Sequence, residues 1–520
     1  MSSEPSAARV IRNRERSSAS RWILAATILA SGVVFLDGTV VTVALARIGQ
    51  DLRSPLFGTL EAQTYVYNGY LLAMSALLIP AGAAGDLYGR KRVFLAGLVG
   101  FGVASLLCGL APSMETLILA RLLQGMAAAF LVPGSLALLR LHFQGEEQGR
   151  AYGLWAAGTS LTTLAGPFLG GVLVDLVSWR AIFLINLPLV LIAIFAGQRH
   201  VVESRDESSA HLDWTGAALF AVATGGLSFG VIYGQEHQWR AVEAWLALAL
   251  GALSLAALPL WLRRTPHPLV SLALFKVRSF TVINLATLVI YASLYISGYY
   301  LLLFLQGVAG YSAAAAGLSG LPVSLFLIFL SPRIGRLAGR FGPRPFLVAG
   351  PLLMAAGTAW LARIPQHTSA WRLDLAQPAS LIPPLAYATD VLPEVLAFGL
   401  GISLLVAPLT SALMNSVPEA NVGLASAFNN AISRIGPQLA GAAVFVAVTA
   451  LFFARLGARP PGVSPLNRPL DAHWLAPALA ASTDAFHLAM LFCSGLLVAG
   501  ALISLTLAGR SAKPPDPAAG

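Results

Sequence analysis

Fourteen runs of mostly apolar residues recur along the 520-residue chain, at 22–45, 64–84, 93–110, 116–138, 151–173, 181–198, 212–235, 242–262, 280–305, 315–333, 345–363, 394–414, 430–454 and 484–508. A helix needs about 20 such residues to cross the hydrocarbon of a bilayer. Backbone at that depth must satisfy its own hydrogen bonds, which leaves helices or closed barrels. Runs of this length without strict alternation select helices. Only 11% of the residues are charged, against about 25% in soluble proteins, so a soluble fold is excluded. The expected fold class is an all-α membrane protein with 14 transmembrane helices.

The formal net charge of +10 would suggest a nucleic-acid partner in a soluble chain. Here the cations lie between apolar runs, and topology explains them more simply. With the N-terminus inside, inside segments carry 23 Lys and Arg and outside segments nine, while Arg121 falls within a helix. That bias predicts a multi-pass membrane protein with both termini cytoplasmic; the membrane expected for it is the plasma (inner) membrane. The first run, Trp22 to Leu45, is too long for the h-region of a signal peptide and contains Asp37, so it reads as a retained span. Cys108 and Cys493 lie far apart within apolar runs and read as packing residues. The eight histidines form no metal spacing, and no GxxxxGK[ST] phosphate loop occurs. No cofactor, metal or enzymatic activity is expected.

The chain contains an internal echo. "GAAGDLYGRKR" (82–92) and "GRLAGRFGPR" (335–344) align Gly89 with Gly342 and Lys91 with Arg344, while Asp86 meets Gly339. Each follows a run that ends inside. The echo predicts two parallel six-helix halves related by a pseudo-twofold axis. The expected organisation is an N-tail (1–21), an N-terminal half (22–198), two inserted helices (212–262), a C-terminal half (280–508) and a C-tail (509–520). Residues 364–393 and 455–483 are Pro-containing outside loops with no readable chemistry.

Three features carry candidate chemistry. Asp37 sits in the first span, roughly 12 Å below its outer end at 1.5 Å per residue. A buried charge there costs at least ~2.5–3.5 kcal/mol, to be offset by a partner, a water-filled cavity or protonation; a static carboxylate held by hydroxyls such as Thr39 is the alternative. Arg121 lies at about 8 Å depth in the fourth span and could share a cavity with Asp37 or snorkel to the interface. Gln124 follows one turn later. In the fifth span, "GTSLTTLAGPFLGG" (158–171) places Gly166 and Gly170 four apart, a small-residue contact face. Pro167 removes a donor there, and Gly171 closes the string.

These stretches together resemble the major facilitator superfamily. "GAAGDLYGRKR" is similar to its loop between the second and third helices, "RLLQG" with Pro133 to its fourth-helix motif, and "GPFLGG" to its antiporter motif. "FLDGTVVTVALARI" (35–48), "WRAIFLINLP" (179–188), "LDWTG" (212–216) and "PLVSLALFKVRSF" (268–280) resemble the fourteen-helix drug:proton antiporter branch. Thr42 and Ala46 depart from that branch's usual Asn and Pro, which bears on substrate. The resemblance implies alternating access, proton coupling at Asp37 and Arg121, and a conformational latch at Asp86, Gly89 and Arg90, with Asp86 at the start of a helix in the other half. It also implies a central cavity lined by the first, fourth, ninth and twelfth spans.

Tyr291, Tyr295 and Tyr299 lie on one face of the ninth span and could stack on flat lipophilic compounds, or serve as an aromatic belt or plain packing, the better reading for Tyr299. Asn68 and Gln124 are further polar candidates for substrate binding. Asn429, Asn430 and Arg434 near an inner end belong to a gate or to a plain helix entry. The expected function is proton-coupled export of lipophilic, drug-like compounds, with protons and the bilayer as the other partners. Export of one metabolite or lipid, or proton-coupled uptake, is the alternative. A periplasmic adaptor is a further conceivable partner with no sequence signal.

Overall fold

The computed structural model describes residues 6–205, 213–266, 268, 272–366, 368–374, 377–417 and 422–507. Residues 1–5 of the N-tail, Leu212, residues 269–271, Asn421 and the C-tail 509–520 lie outside the described residues.

Among the described residues the chain is helical and contains no strand. It forms two compact units, Met1–Ala221 and Val222–Gly520. The first unit contains α1 (Ser6–Asp51), α2 (Thr59–Tyr88), α3 (Arg90–Gly109), α4 (Met114–His142), α5 (Gly145–Leu176), α6 (Ala181–Leu184) and α7 (Asn186–His200). α8 (Trp214–Glu236) crosses the boundary. The second unit continues with α9 (Val242–Arg264), α10 (Arg278–Gly307), α11 (Ala313–Ser319), α12 (Leu321–Phe341), α13 (Arg344–Leu361), α14 (Leu392–Met414), α15 (Val422–Leu456) and α16 (Ala472–Leu505).

Among the described residues, twelve helical segments are long and apolar enough to cross a membrane. A thirteenth is α2, whose parts Thr59–Leu78 and Pro80–Tyr88 are bent by 56°. Pro80 explains the bend, since it lacks the N–H that would continue the ladder. The remaining predicted run, 345–363, is the 18-residue helix α13; it begins with Arg344 and Pro345 and does not count among those spans. α6 and α7 together make one span, Ala181–His200, interrupted at Ile185. Pro188 cannot donate to the Leu184 carbonyl.

Several helices outrun the predicted segments. α1 continues beyond 22–45 in both directions, and α16 starts at Ala472 rather than 484. The latter consumes half of the loop expected at 455–483, because Asp471 caps its N-terminus by accepting from His473 N (2.9 Å). A π-helical turn, Tyr387–Val391, precedes α14. The loop before it is packed. Trp371 is buried between Tyr311 and Tyr387, its indole N–H donates to Ser380 O (2.8 Å), and Tyr387 Oη donates to Ser319 O (2.8 Å).

Within the first unit α1 packs on α5, α2 on α4, and α3 on α4. Gly125 permits the α2–α4 approach: a Cβ there would lie 3.0 Å from Tyr70 Cα. Gly166 and Gly170 do the same for α1 and α5. A Cβ at Gly166 would lie 3.1 Å from Thr39 Cβ, and one at Gly170 would lie 2.9 Å from Val43 Cγ2. Gly171 is buried on the same helix, and Pro167 lies inside it without ending it. The predicted small-residue face is therefore a contact with α1, the helix that carries Asp37. In the second unit Phe280, Ile283, Ile290, Leu347, Met354, Leu405 and Leu497 form a buried cluster. α9 presents Leu246, Leu250 and Leu253 outward, a costly surface in water and a natural one in hydrocarbon.

The two copies of the internal echo share a backbone feature. Gly89 (φ 104°) links α2 to α3, and Gly342 (φ 82°) links α12 to α13. Both adopt the left-handed region that disfavours other residues.

Overpacking one of these helix contacts tests the architecture. Gly125→Ala forces α4 off the Tyr70 backbone, and overpacking of this kind costs about 1–3 kcal/mol. The expected result is a lowered unfolding midpoint for the purified protein in detergent; an unchanged midpoint would mean that the α2–α4 contact is looser than described.

Candidate functional site

The first unit encloses an ion pair. Asp37 (α1) and Arg121 (α4) are both wholly buried. Arg121 Nη1 donates to Asp37 Oδ2, and also to Gln124 Oε1 at 2.6 Å; Arg121 Nε donates to the Val66 carbonyl at 3.2 Å. The guanidinium carbon lies 4.3 Å from the Tyr70 ring centroid and 5.7 Å from that of Phe183, so aromatic faces add to its neutralisation. Tyr70 Oη in turn donates to the Val34 carbonyl (3.2 Å) and ties α2 to α1.

The second oxygen of Asp37 is equally engaged. Gln124 Nε2 donates to Asp37 Oδ1 (2.8 Å) and to Ser105 Oγ (2.9 Å). Asn186 Nδ2, at the start of α7, donates to the same two oxygens at 3.2 and 3.3 Å. The Cys108 thiol donates to Gln124 Oε1 at 3.5 Å. The carboxylate of α1 thus accepts from α4 and α7, and α2 and α3 support those donors in turn. An isolated charge at this depth would cost several kcal/mol, and pairing plus hydrogen bonding offsets that cost.

Of the means considered for offsetting the Asp37 charge, the structure displays a partner. Thr39 does not hold the carboxylate; its hydroxyl donates to the Phe35 and Leu36 carbonyls of its own helix at 3.1 and 3.0 Å. Arg121 does not snorkel, because its side chain is fully buried. Gln124 lies inside the pair's hydrogen-bond shell. Asn68 is half-buried on α2 and outside the network. Sequence reasoning missed Ser105, Tyr70 and Asn186. Asn186 had a visible signal, as a lone amide in the apolar run "AIFLINLPLVL"; Ser105 in "GVASLLCG" had none.

The Asp86 loop forms a second constellation in the same unit. Asp86 Oδ1 accepts from Arg90 Nε (2.8 Å) and pairs with Nη2 (2.7 Å) across Gly89. Glu203, just past α7, caps α3: its carboxylate accepts from Lys91 N (3.0 Å) and Arg92 N (3.1 Å). Arg90 N donates to Ser204 O (2.9 Å), and Lys91 Nζ to Gln198 O (2.7 Å). Glu203 was not anticipated; an acid directly after "RHVV", in a stretch that also holds Asp206 and Glu207, is its only sequence trace.

In the second unit Tyr291 and Tyr295 are half-buried neighbours with ring centroids 6.4 Å apart. Tyr299 is buried edge-on against Tyr300 at 5.2 Å, which is the plain packing of the two alternatives to substrate stacking. Asn429 does not cap a helix. Its amide donates to Asn284 Oδ1 (3.1 Å) and Thr287 Oγ1 (2.9 Å), joining α15 to α10. Asn430 bonds back to Ser426 O (3.0 Å) in its own helix, and Arg434 is half-buried with Nε unpaired.

The profile of the Major Facilitator Superfamily matches residues 27–441. The chain belongs to this superfamily. Among its relatives, the multidrug resistance protein Stp of Mycobacterium tuberculosis (strain CDC 1551 / Oshkosh) is 35% identical over 82% of this chain and 76% of its own length. The puromycin resistance protein pur8 of Streptomyces alboniger is 33% identical over 84% of each chain. A crystal structure of an auto-inhibited POT family peptide transporter superposes with a TM-score of 0.63, covering 95% of this chain and 99% of that one at 16% identity, which is a likeness of fold. This superfamily member is a multi-pass membrane transporter of small molecules, not an enzyme.

Removing one partner of a buried pair costs about 3–5 kcal/mol, because the other charge is stranded. Arg121→Met is therefore expected to depress the detergent unfolding midpoint strongly, and the double variant Asp37→Asn/Arg121→Met to recover most of that loss. A double variant no more stable than Arg121→Met alone would count against the pairing.

Proposed function

We propose that this chain is a proton-coupled antiporter that exports lipophilic, drug-like compounds by alternating access. The observation that carries the reading is the Asp37–Arg121 pair, a buried carboxylate saturated by donors in a transporter whose relatives are named for multidrug and antibiotic resistance. A proton arriving at Asp37 removes its charge and leaves Arg121 as an uncompensated buried cation. That state is costly by several kcal/mol, so α1 and α4 separate, and deprotonation restores the pair. Proton binding is thereby converted into helix movement.

The energy scale is adequate. At ~100 mV one inward charge releases about 2.3 kcal/mol, which sustains a gradient of roughly 50-fold at 1.36 kcal/mol per decade. In this reading the chain has 14 spans, with α13 as the span missing from the apolar set, two halves of common ancestry and the pair α8–α9 inserted between them. It sits in the plasma membrane with both termini cytoplasmic. Asp86, Gly89 and Arg90 form the latch, since a half-exposed pair worth a few tenths of a kcal/mol opens readily. The glycines Gly166 and Gly170, with Pro167 and Gly171, let α5 slide on α1. Tyr291 and Tyr295 stack on substrate. Gln124 acts with Asp37 rather than on substrate.

Relatives named for one antibiotic, such as puromycin, favour a narrower second reading, export of a single compound class by the same mechanism.

Everted membrane vesicles test the coupling. Acidifying their lumen drives dye or drug inward if the reading is correct, and Asp37→Asn abolishes this while the protein remains inserted; normal proton-driven accumulation by Asp37→Asn would remove the carrier role. Asp86→Ala is expected to change cysteine accessibility on the two sides several-fold while substrate binding persists. An unaltered accessibility pattern would dismiss the latch.

A further inference from the structure

Asp37 Oδ1 and Ser105 Oγ are bridged twice. Gln124 Nε2 donates to both, at 2.8 and 2.9 Å, and Asn186 Nδ2 donates to both, at 3.2 and 3.3 Å. An amide NH2 has two hydrogens, and each of these amides spends both on the same two oxygens. Four atoms from α1, α3, α4 and α7 close a ring, and all four side chains are fully buried.

The two amides differ at their other ends. Gln124 Oε1 accepts from Arg121 Nη1 (2.6 Å) and from the Cys108 thiol (3.5 Å), so its orientation is determined without Ser105. Asn186 Oδ1 has no hydrogen-bond partner among the described residues. Its amide is aimed only by what its nitrogen reaches, namely Ser105 and Asp37. A half-turn of that amide would oppose oxygen to carboxylate and lose the bond to Asp37, whereas the Ser105 hydroxyl, which donates as well as accepts, would hold the amide in either sense. Leaving an acceptor unpaired in a buried site is itself unfavourable, so the arrangement persists because the nitrogen's two bonds outweigh it. Nothing in general packing requires a polar residue at position 186, which lies in an otherwise apolar span.

We infer that Asn186, held beside Asp37 by Ser105, is a positioning residue that sets how readily Asp37 binds and releases its proton. The inference rests on the proton-carrier role proposed for Asp37. The titratable or charged groups facing Asp37 are Arg121 from α4, Cys108 from α3 and Tyr70 from α2. α5 offers glycines to α1, and α6 and α7 contribute Phe183 and Asn186 to the site. A donor to the ionised form of a carboxyl favours that form. Deleting the Asn186 amide therefore makes protonation easier, whereas a carboxyl in its place makes it easier still, because two like charges cannot share the site.

The test needs no substrate. The purified full chain is titrated by infrared difference spectroscopy, and the protonated-carboxyl band lost in Asp37→Asn is assigned to Asp37. Asn186→Ala is expected to move the midpoint of that band to higher pH by about one unit, the worth of one hydrogen bond to a charged group. Asn186→Asp is expected to move it further, and Ser105→Ala to move it less in the same sense. Ser105→Ala removes a single hydroxyl and carries the test if either Asn186 variant fails to fold. A band that titrates normally in wild type and stays within about 0.2 units in Asn186→Ala and Ser105→Ala would overturn the inference and leave the carrier role standing. The absence of any Asp37 band between about pH 4 and 10 would overturn the carrier role itself, and this inference with it.

Discussion

A carboxylate and a guanidinium closed off from water organise the first unit. Each would be untenable alone inside a bundle of apolar helices, and together they require hydrogen bonds from neighbouring helices, which among the described residues reach every polar atom of the pair except Arg121 Nη2. That requirement brings α1, α2, α3, α4 and α7 to one point. Arg121 draws on a backbone carbonyl of α2, Gln124 bridges α4 to α3 and α1, and Asn186 brings in α7. The glycines at 125, 166 and 170 serve the same end, since they bring the backbones close enough for short side chains to meet.

The loop after α2 uses weaker forces. Its Asp86–Arg90 pair is partly exposed, and its backbone is held by Glu203 at the N-terminus of α3. Interactions near a surface are individually worth little, which suits a hinge more than a strut. The contrast with the dry pair at Asp37 is one of dielectric: the same kinds of charges bind firmly where water is excluded and yield where it is present.

Much of the fold was legible in the chain. Apolar run length marked nearly every helix, and the two echoed glycines proved to share a left-handed backbone. Helix ends were less legible. α16 begins a dozen residues before its predicted start, because an Asp471 cap and a run of alanines extend a helix without raising the apolar signal. At the site, Asp37 and Arg121 were conspicuous as charges in apolar runs. Ser105, Tyr70 and Glu203 were not, since residues of their types are common and only their positions matter.

The sequence by itself determined that this chain crosses a membrane many times as helices, that two opposite charges lie within its first and fourth apolar runs, and that glycines line the fifth. These follow from hydrophobicity and from the cost of placing a charge in hydrocarbon, which are properties of residues. Only the tertiary structure decided that Asp37 and Arg121 meet, that Gln124 serves that pair, and that Asn186 and Ser105 complete its shell. Those are matters of helix rotation and approach within a few tenths of an ångström, and packing among all the helices of the unit sets them jointly.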